Sequence, residues 1–289
     1  MASPAMNAPA LICPALLFCP GDRPDRFGKA AAAADTVILD LEDAVAPANK
    51  NRARNEVARA LRDLDPSRTI VRINAAGTPW HEDDVAALAA LPGVTVMLPK
   101  AGAAAEIEAL APRPVIALCE TAAGVLAAAA IAAAKNCAGL MWGSEDLVAD
   151  LGGRRARTPA GTYPPAVEEA RTRILYAARA NRVLPVDTVL ADITDTELLR
   201  ADSVAAATAG FAAKACIHPS QIPVVRAAFR PSPEDIRWAL DVTTAAVTSP
   251  GVFLLAGQMV DAPVLARARE ILRKVAYQPE DGPSTPSRS

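Results

Sequence analysis

Five apolar runs in this chain end abruptly on polar side chains. VIALCE closes on Glu120, GLMWGSED on Ser144, Glu145 and Asp146, and VILDLED on Asp40, Glu42 and Asp43. TIVRIN closes on Arg72 and Asn74, and TVMLPK on Lys100. A carboxylate at the end of a buried strand is costly unless it finds a partner. Two of them on neighbouring strand ends, in a chain with only His81 and His218 as histidines, suit a hard, oxygen-binding cation such as Mg2+ better than zinc. Glu120 and Asp146 are the pair expected to hold it. A structural ion-pair network with Arg72 and Lys100 satisfies the same spacing.

The other polar ends have their own readings. Alternation along VILDLED places Asp40 and Glu42 on one face of the strand. They could be ligands, but surplus carboxylates more often orient ligands and water, and Asp40, Glu42, Asp43 and Lys100 are assigned that supporting role. Arg72 can polarise a carbonyl or grip a carboxylate with both arms of its guanidinium; a buried salt bridge to Asp40 or Glu42 is the alternative. Asp192 and His218 end two further apolar runs. His218 precedes Pro219-Ser220, a helix-start pattern, and reads as loop support. His81 reads as a solvated helix start. The stretch from Gly21 to Arg26, GDRPDR, offers a helix start and two arginines to an anion, or is simple surface charge.

These ends must be brought together by something, and the elements between them say what. Strands are expected at 15–20, 36–42, 69–74, 95–100, 115–120, 139–144, 188–192 and 212–217, each followed by a helical or small-residue stretch. A long irregular segment, 151–165, interrupts the sixth unit; such loops in compact domains are commonly functional. Eight alternations with continuous apolar strands predict parallel strands covered on both faces, and so a (β/α)8 TIM barrel with extra C-terminal helices. A doubly wound sheet is the competing topology, but no GxGxxG follows the first strand. In a barrel all the polar ends named above meet at one mouth.

Composition sets the remaining bounds. The chain has 289 residues, is 52% hydrophobic and 21% charged, and carries a net charge of -2. That charge offers nothing to nucleic acid or to a membrane surface. Five cysteines with no CxxC pair read as buried free thiols in a reducing, cytoplasmic compartment. The apolar, proline-broken N-terminus lacks a basic start and reads as a loose arm rather than a signal peptide. One domain is expected over 1–275, with a disordered polar tail at 276–289.

Taken in order, LLFCPGDRPDRFGKA, VILDLEDAV with Lys50 and Arg54 downstream, VRIN, LPKA, ALCETAAG, MWGSEDLVADLGG, KACIHPSQI and GQMVDAPV resemble the citrate lyase β-subunit-like branch of the HpcH/HpaI aldolase superfamily. The resemblance implies the same barrel, bound Mg2+, an acyl-CoA substrate and carbon–carbon lyase chemistry on a malyl-, citramalyl- or citryl-type thioester. It places the metal on Glu120 and Asp146 and gives both Arg72 and Glu120 to the substrate, with Arg72 at the thioester oxygen. It makes Asp261 of GQMVDAP an acid–base group lent by a neighbouring subunit, hence a homo-oligomer, a trimer or a multiple of one. Read without the resemblance, Asp261 is the N-cap of the last helix. A thioesterase on the same scaffold, or a β subunit working only within a citrate lyase complex, are the alternatives. The chain departs from the family pattern at Pro14-Ala15, where Arg-Ser is common, at Gly102 in place of Glu, and at Leu198 in place of Gly.

Overall fold

The computed structural model describes residues 14–91, 93–249 and 251–276. The expected N-terminal arm and polar tail fall almost wholly outside them. The chain divides after Arg226 into two compact units.

The first unit is a closed barrel of eight parallel strands. In order it runs β1 (Ala15–Pro20), α1 (Pro24–Ala33), β2 (Thr36–Asp40), α2 (Lys50–Ala60), β3 (Thr69–Arg72), α3 (His81–Ala87), β4 (Thr95–Leu98) and α4 (Ala104–Glu108). It continues with β5 (Val115–Cys119), α5 (Ala122–Ala132), β6 (Cys137–Trp142), α6 (Ser144–Asp150), α7 (Pro165–Asn181), β7 (Leu184–Asp187), α8 (Thr196–Ala209) and β8 (Ala213–Cys216). Closure comes from β8 pairing back on β1, with Leu16 opposite Ala215. Helix α9 (Gln221–Phe229) follows. The (β/α)8 architecture read from the alternation is the one observed.

The barrel interior explains how the polar ends are aimed. Leu16, Ile38, Ile70, Met97, Ile116, Leu118, Met141, Val186, Ala213 and Ala215 form one buried cluster, with Phe18 packed against it. Side chains two apart on a strand share a face. The inward rows Ile38–Asp40, Ile70–Arg72 and Leu118–Glu120 therefore begin as apolar filling and end as polar groups at the C-terminal rim. Burying each Ile or Leu of the filling contributes roughly 2 kcal/mol, and this offsets the cost of the charged layer above it.

Two sequence-based boundaries move. The seventh strand is Leu184–Asp187 rather than 188–192. Pro185 lies within it although proline lacks a donor for the ladder. Its carbonyl is nevertheless used, accepting from Ala212 N at 2.9 Å. In consequence Asp192 ends no strand: it lies exposed in the loop before α8, accepting from Thr194 N at 2.8 Å. The sixth strand ends at Trp142, and Ser144 opens a short helix the sequence reading had not assigned.

A second buried charge cluster lies among the outward-facing residues of β6, β7 and β8, which alternate with the inward row. Lys214, with no exposed surface, donates to Asp187 Oδ2 at 2.8 Å, Asp202 Oδ2 at 2.7 Å and Thr188 O at 2.8 Å. Trp142 Nε1 and Arg171 Nε both donate to Asp187 Oδ1, at 2.8 and 3.1 Å. Arg157 reaches Asp202 at 2.8 Å and donates to Gly161 O at 2.8 Å. The irregular segment between α6 and α7 is thus tied down by Arg157. Its position between β6 and α7 puts it on the same face as the strand C-termini.

The second unit contains α10 (Pro233–Thr248), the hairpin β9 (Phe253–Leu255) and β10 (Gln258–Val260), and α11 (Ala262–Ala276). Ser232 and Asp235 form a capping box at the start of α10. Ala239, Val242, Val260 and Ala268 make its core. No described helix is long and apolar enough to cross a membrane.

Candidate active site

Lys100 organises the mouth. It follows β4 and adopts a left-handed backbone, with φ of +52°. That conformation turns its N–H onto Glu120 Oε1 at 3.1 Å. Its ammonium meanwhile lies 2.5 Å from Glu42 Oε1, 3.4 Å from Asp146, 3.9 Å from Asp43 and 4.0 Å from Glu120. One cation thus faces four carboxylates drawn from three different strand ends. A non-glycine residue in this region carries about 1–2 kcal/mol of backbone strain, and such strain collects where a site demands a particular side chain.

Glu120 is the most buried of these four acids, at 2% exposure. Burial, reinforced by the nearby Asp146 and Glu42 charges, outweighs Lys100 and Arg72 and pushes its pKa up to about 8. Asp146 occupies the first turn of α6 and is half-buried. The helix N-terminus favours its negative charge. The two carboxylates converge on the same ammonium, so their oxygens border one shared space. A divalent cation needs no more than one or two carboxylates there, completing its octahedron with water and substrate oxygens. Among the described residues no group of three or more His, Cys, Asp or Glu side chains is arranged to hold a metal ion by itself.

Gly143 makes room for Glu120. A Cβ at this position would meet Glu120 Oε2 at 2.5 Å and Glu120 Cβ at 2.9 Å. Its backbone, φ −119° and ψ 119°, is one that alanine adopts freely. Gly143→Ala therefore tests packing against Glu120 without backbone strain. We expect at least tenfold weaker Mg2+ binding with secondary structure unchanged, measured by titration calorimetry and circular dichroism. Unaltered affinity would mean that Glu120 can move aside and is not held in place by its neighbour.

Arg72 is braced. Its Nε and one terminal nitrogen donate to the two oxygens of Asp40, both at 2.7 Å, and the Phe18 ring lies 4.8 Å from the guanidinium. Burial would lower its pKa, but Asp40 and Glu42 more than compensate and raise it, so the charge is permanent. Asp40 also accepts from Glu42 N at 2.8 Å and Ala44 N at 3.1 Å. With four donors it has nothing left for a metal.

Glu42 is different. Oε1 takes the Lys100 proton donor, but Oε2 receives no aligned hydrogen bond, although Arg72 lies 2.9 Å away. Burial raises its pKa against the pull of Arg72 and Lys100. A buried acceptor left open at the mouth is where a ligand hydroxyl or water would be bound.

Behind this layer, Lys50 donates to Leu41 O, Glu42 O and Asn74 Oδ1, each at 2.7 Å. Asn74 N donates to Asp84 at 2.9 Å, and Asp84 accepts from Arg54 at 2.8 Å. This chain clamps the backbone that presents Glu42 and Asp43. Its sequence signal is a lysine and an arginine a helical turn apart after VILDLEDAV.

The remaining candidates make other contacts. His218 is exposed and bonded to Ser220 Oγ at 2.8 Å. His81 is half-buried rather than solvated, its Nδ1 2.9 Å from Asn74 O. Arg23 is forked onto Asp25 at 3.1 Å. Cys19, Cys119, Cys137 and Cys216 are buried free thiols, and burial raises the pKa of each. Asp261, in the second unit, caps α11 by accepting from Val264 N at 3.1 Å. Sequence reasoning missed Gly143, for which the signal was a glycine between a strand and an acidic helix start. It also missed the Asp187–Lys214 pair, signalled by a lysine inside the apolar strand AKAC.

Fold and site together define a (β/α)8-barrel protein whose acidic mouth, built at the strand C-termini, is of the type that accepts a hard cation and an oxygen-rich substrate. The chain belongs to the HpcH/HpaI aldolase/citrate lyase family, whose model matches residues 15–219. It is 54% identical over 263 residues to a citrate lyase subunit beta-like protein of Mycobacterium tuberculosis, covering 90% of this chain and 95% of that one. It is 35% identical over 273 residues to a (3S)-malyl-CoA thioesterase of Cereibacter sphaeroides, covering 90% and 93%. The crystal structure of CitE from Mycobacterium tuberculosis in complex with magnesium, acetoacetate and coenzyme A superposes with a TM-score of 0.86 at 52% identity, covering 92% of this chain and 98% of that one.

Proposed function

We propose that this protein is a Mg2+-dependent carbon–carbon lyase acting on a 3-hydroxyacyl-CoA of the malyl, citramalyl or citryl type. The observation that carries this reading is the convergence of Glu120 and Asp146 on one cation position, 4.0 and 3.4 Å from the Lys100 ammonium, beside a guanidinium fixed by Asp40. Family membership and the relative solved with magnesium, acetoacetate and coenzyme A support it. Glu120 and Asp146 would hold Mg2+, which supplies a template and a Lewis acid for the substrate oxygens.

The chain's own groups do the rest. A base takes the 3-hydroxyl proton, and the hydroxyl carbon becomes a carbonyl as the C2–C3 bond breaks. The electron pair of that bond passes into the thioester as an enolate. Arg72, unable to swing because Asp40 holds two of its nitrogens, would offer the third, which lies beside Glu42 Oε2, to the enolate oxygen as well; preorganised donors of this kind are commonly worth several kcal/mol. Protonation at C2 completes acetyl-CoA, and the other product is a carbonyl acid. Arg72 and Glu120 contact the substrate in this scheme, with Lys100, Glu42, Asp43 and Asp40 around them.

Asp261 is assigned the acid–base role from a second copy. Its place directly after the hairpin favours this, because Leu254 and Met259 face each other across the hairpin and are 75% and 62% exposed. Val260, beside them, packs into the core of its own unit. The working protein is then a homo-oligomer, a trimer or a multiple of one. Asp261→Ala and Arg72→Ala should each be nearly inactive, while co-expressed mixed oligomers regain part of the activity. No recovery in verified mixed oligomers would remove the shared site, and full activity of Asp261→Ala alone would leave only the helix cap.

A thioesterase is the second reading, favoured by the (3S)-malyl-CoA thioesterase relative. Purified protein with Mg2+ and a panel of CoA thioesters separates the two. Acetyl-CoA with a 2-oxo acid marks the lyase, free CoA marks hydrolysis, and no turnover by the isolated chain marks a subunit that needs its complex.

A further inference from the structure

We propose that Lys100 is the built-in counter-cation of the metal site, neutralising Asp146 while no metal is bound and releasing it when a divalent cation arrives. The inference rests on the assignment of Glu120 and Asp146 as the metal-holding pair. The ammonium is 3.4 Å from Asp146 and 4.0 Å from Glu120, so it borders the space in which those two acids would hold a metal. Its short contact, 2.5 Å, is with Glu42. A metal and an ammonium cannot share that space, because like charges a few ångströms apart repel strongly in a partly buried site.

The lysine has somewhere to go. Glu42 is its nearest partner, and Asp43, the next residue, is exposed and 3.9 Å away. Withdrawal onto these two acids breaks the Asp146 contact and keeps the ammonium paired. The main-chain N–H of Lys100 stays on Glu120 Oε1 throughout, so the residue continues to orient the ligand that its side chain has vacated. This dual use accounts for the left-handed backbone. Glycine would adopt φ +52° without strain, but it has no ammonium to offer four acids.

The test is a pair of substitutions and one structure. Lys100→Met preserves length and adds no backbone strain beyond that of lysine, while Lys100→Arg preserves charge. Titration calorimetry with Mg2+ should show Lys100→Met binding at least tenfold tighter than the wild type, with Lys100→Arg no tighter than the wild type. Lys100→Gln, expected to behave like Met, serves if the Met variant fails to fold. Wild-type crystals grown with Mn2+ should carry an anomalous peak at Glu120 and Asp146, with the Lys100 ammonium beyond 4 Å from Asp146. Unchanged or weaker affinity in the neutral variants overturns the proposal, and so does an ammonium that keeps Asp146 beside a bound metal. Absence of the peak, together with no binding to any variant, instead sinks the metal assignment on which it rests.

Discussion

Glu120→Gln abolishes Mg2+ binding and turnover while leaving the protein folded: that is the largest effect expected from a single atom exchange in this chain. Glu120 ends the inward row begun by Ile116 and Leu118, and only 2% of it is exposed. Glutamine has the same shape and can still accept from Lys100 N. With its pKa raised to about 8 by burial and the neighbouring acids, the metal-free carboxyl carries a proton at pH 7, so the neutral amide resembles the side chain it replaces and stability is retained. What is lost is the ability to become an anion under a divalent cation. The expected loss is at least about a hundredfold in affinity and a thousandfold in turnover, or ~4 kcal/mol in barrier.

The same shift predicts a pH dependence for the wild type. Below pH 8 the metal must displace a proton, so apparent Mg2+ affinity rises by about tenfold per pH unit up to that point and is flat above it. Affinity already level between pH 6 and 8 would mean that Glu120 is ionised before the metal binds. A Gln variant binding Mg2+ within threefold of the wild type would move the ligand elsewhere.

Arg72→Lys is expected to lose between about a hundred- and a thousandfold in kcat although the charge survives. The guanidinium uses one edge to span both oxygens of Asp40 and keeps another nitrogen beside Glu42 Oε2, at 2.9 Å. An ammonium is a point charge and cannot do both. If it stays on Asp40 it cannot face the enolate oxygen, and if it faces the oxygen it leaves Asp40, which has no exposed surface, short of two donors. The second outcome adds a stability loss of about 1–3 kcal/mol, visible in urea melts. A fall in kcat with an unaltered KM places the arginine at the transition state, where its contact is made. A loss below about tenfold, ~1.4 kcal/mol, would reduce Arg72 to the ion-pair partner of Asp40.

Much of this arrangement could be read before any coordinates. Glu120, Arg72 and Asp40 were visible because each stands two residues beyond an apolar residue on a strand, and a period of two is a local property of the backbone. The eight alternations were visible for the same reason. Strand seven was displaced because the apolar run 188–192 reads as a strand by itself, whereas the pairing partners select Leu184–Asp187, with the Pro185 carbonyl bonded to Ala212. That displacement carried Asp192 into the list of mouth residues and left out Asp187. Asp146 was placed on a strand end and is instead in the first turn of a helix, because a glycine followed by acids reads as a loop when the packing of Leu147 is unknown.

Local pattern therefore determined the barrel and the face each polar side chain takes, since both follow from backbone periodicity and the exclusion of apolar surface from water. It could not determine which acid is spent on a partner and which is left open. That depends on residues far apart in the chain: Arg72 reaches Asp40 across 32 positions, and Lys100 reaches Glu42 across 58. Closing the barrel brings them within hydrogen-bond range, saturates Asp40, leaves Glu42 Oε2 beside Arg72 without an aligned hydrogen bond and sets one ammonium among four acids. An ion pair is a statement about distance and solvent exclusion, and in this chain both are properties of the closed barrel alone.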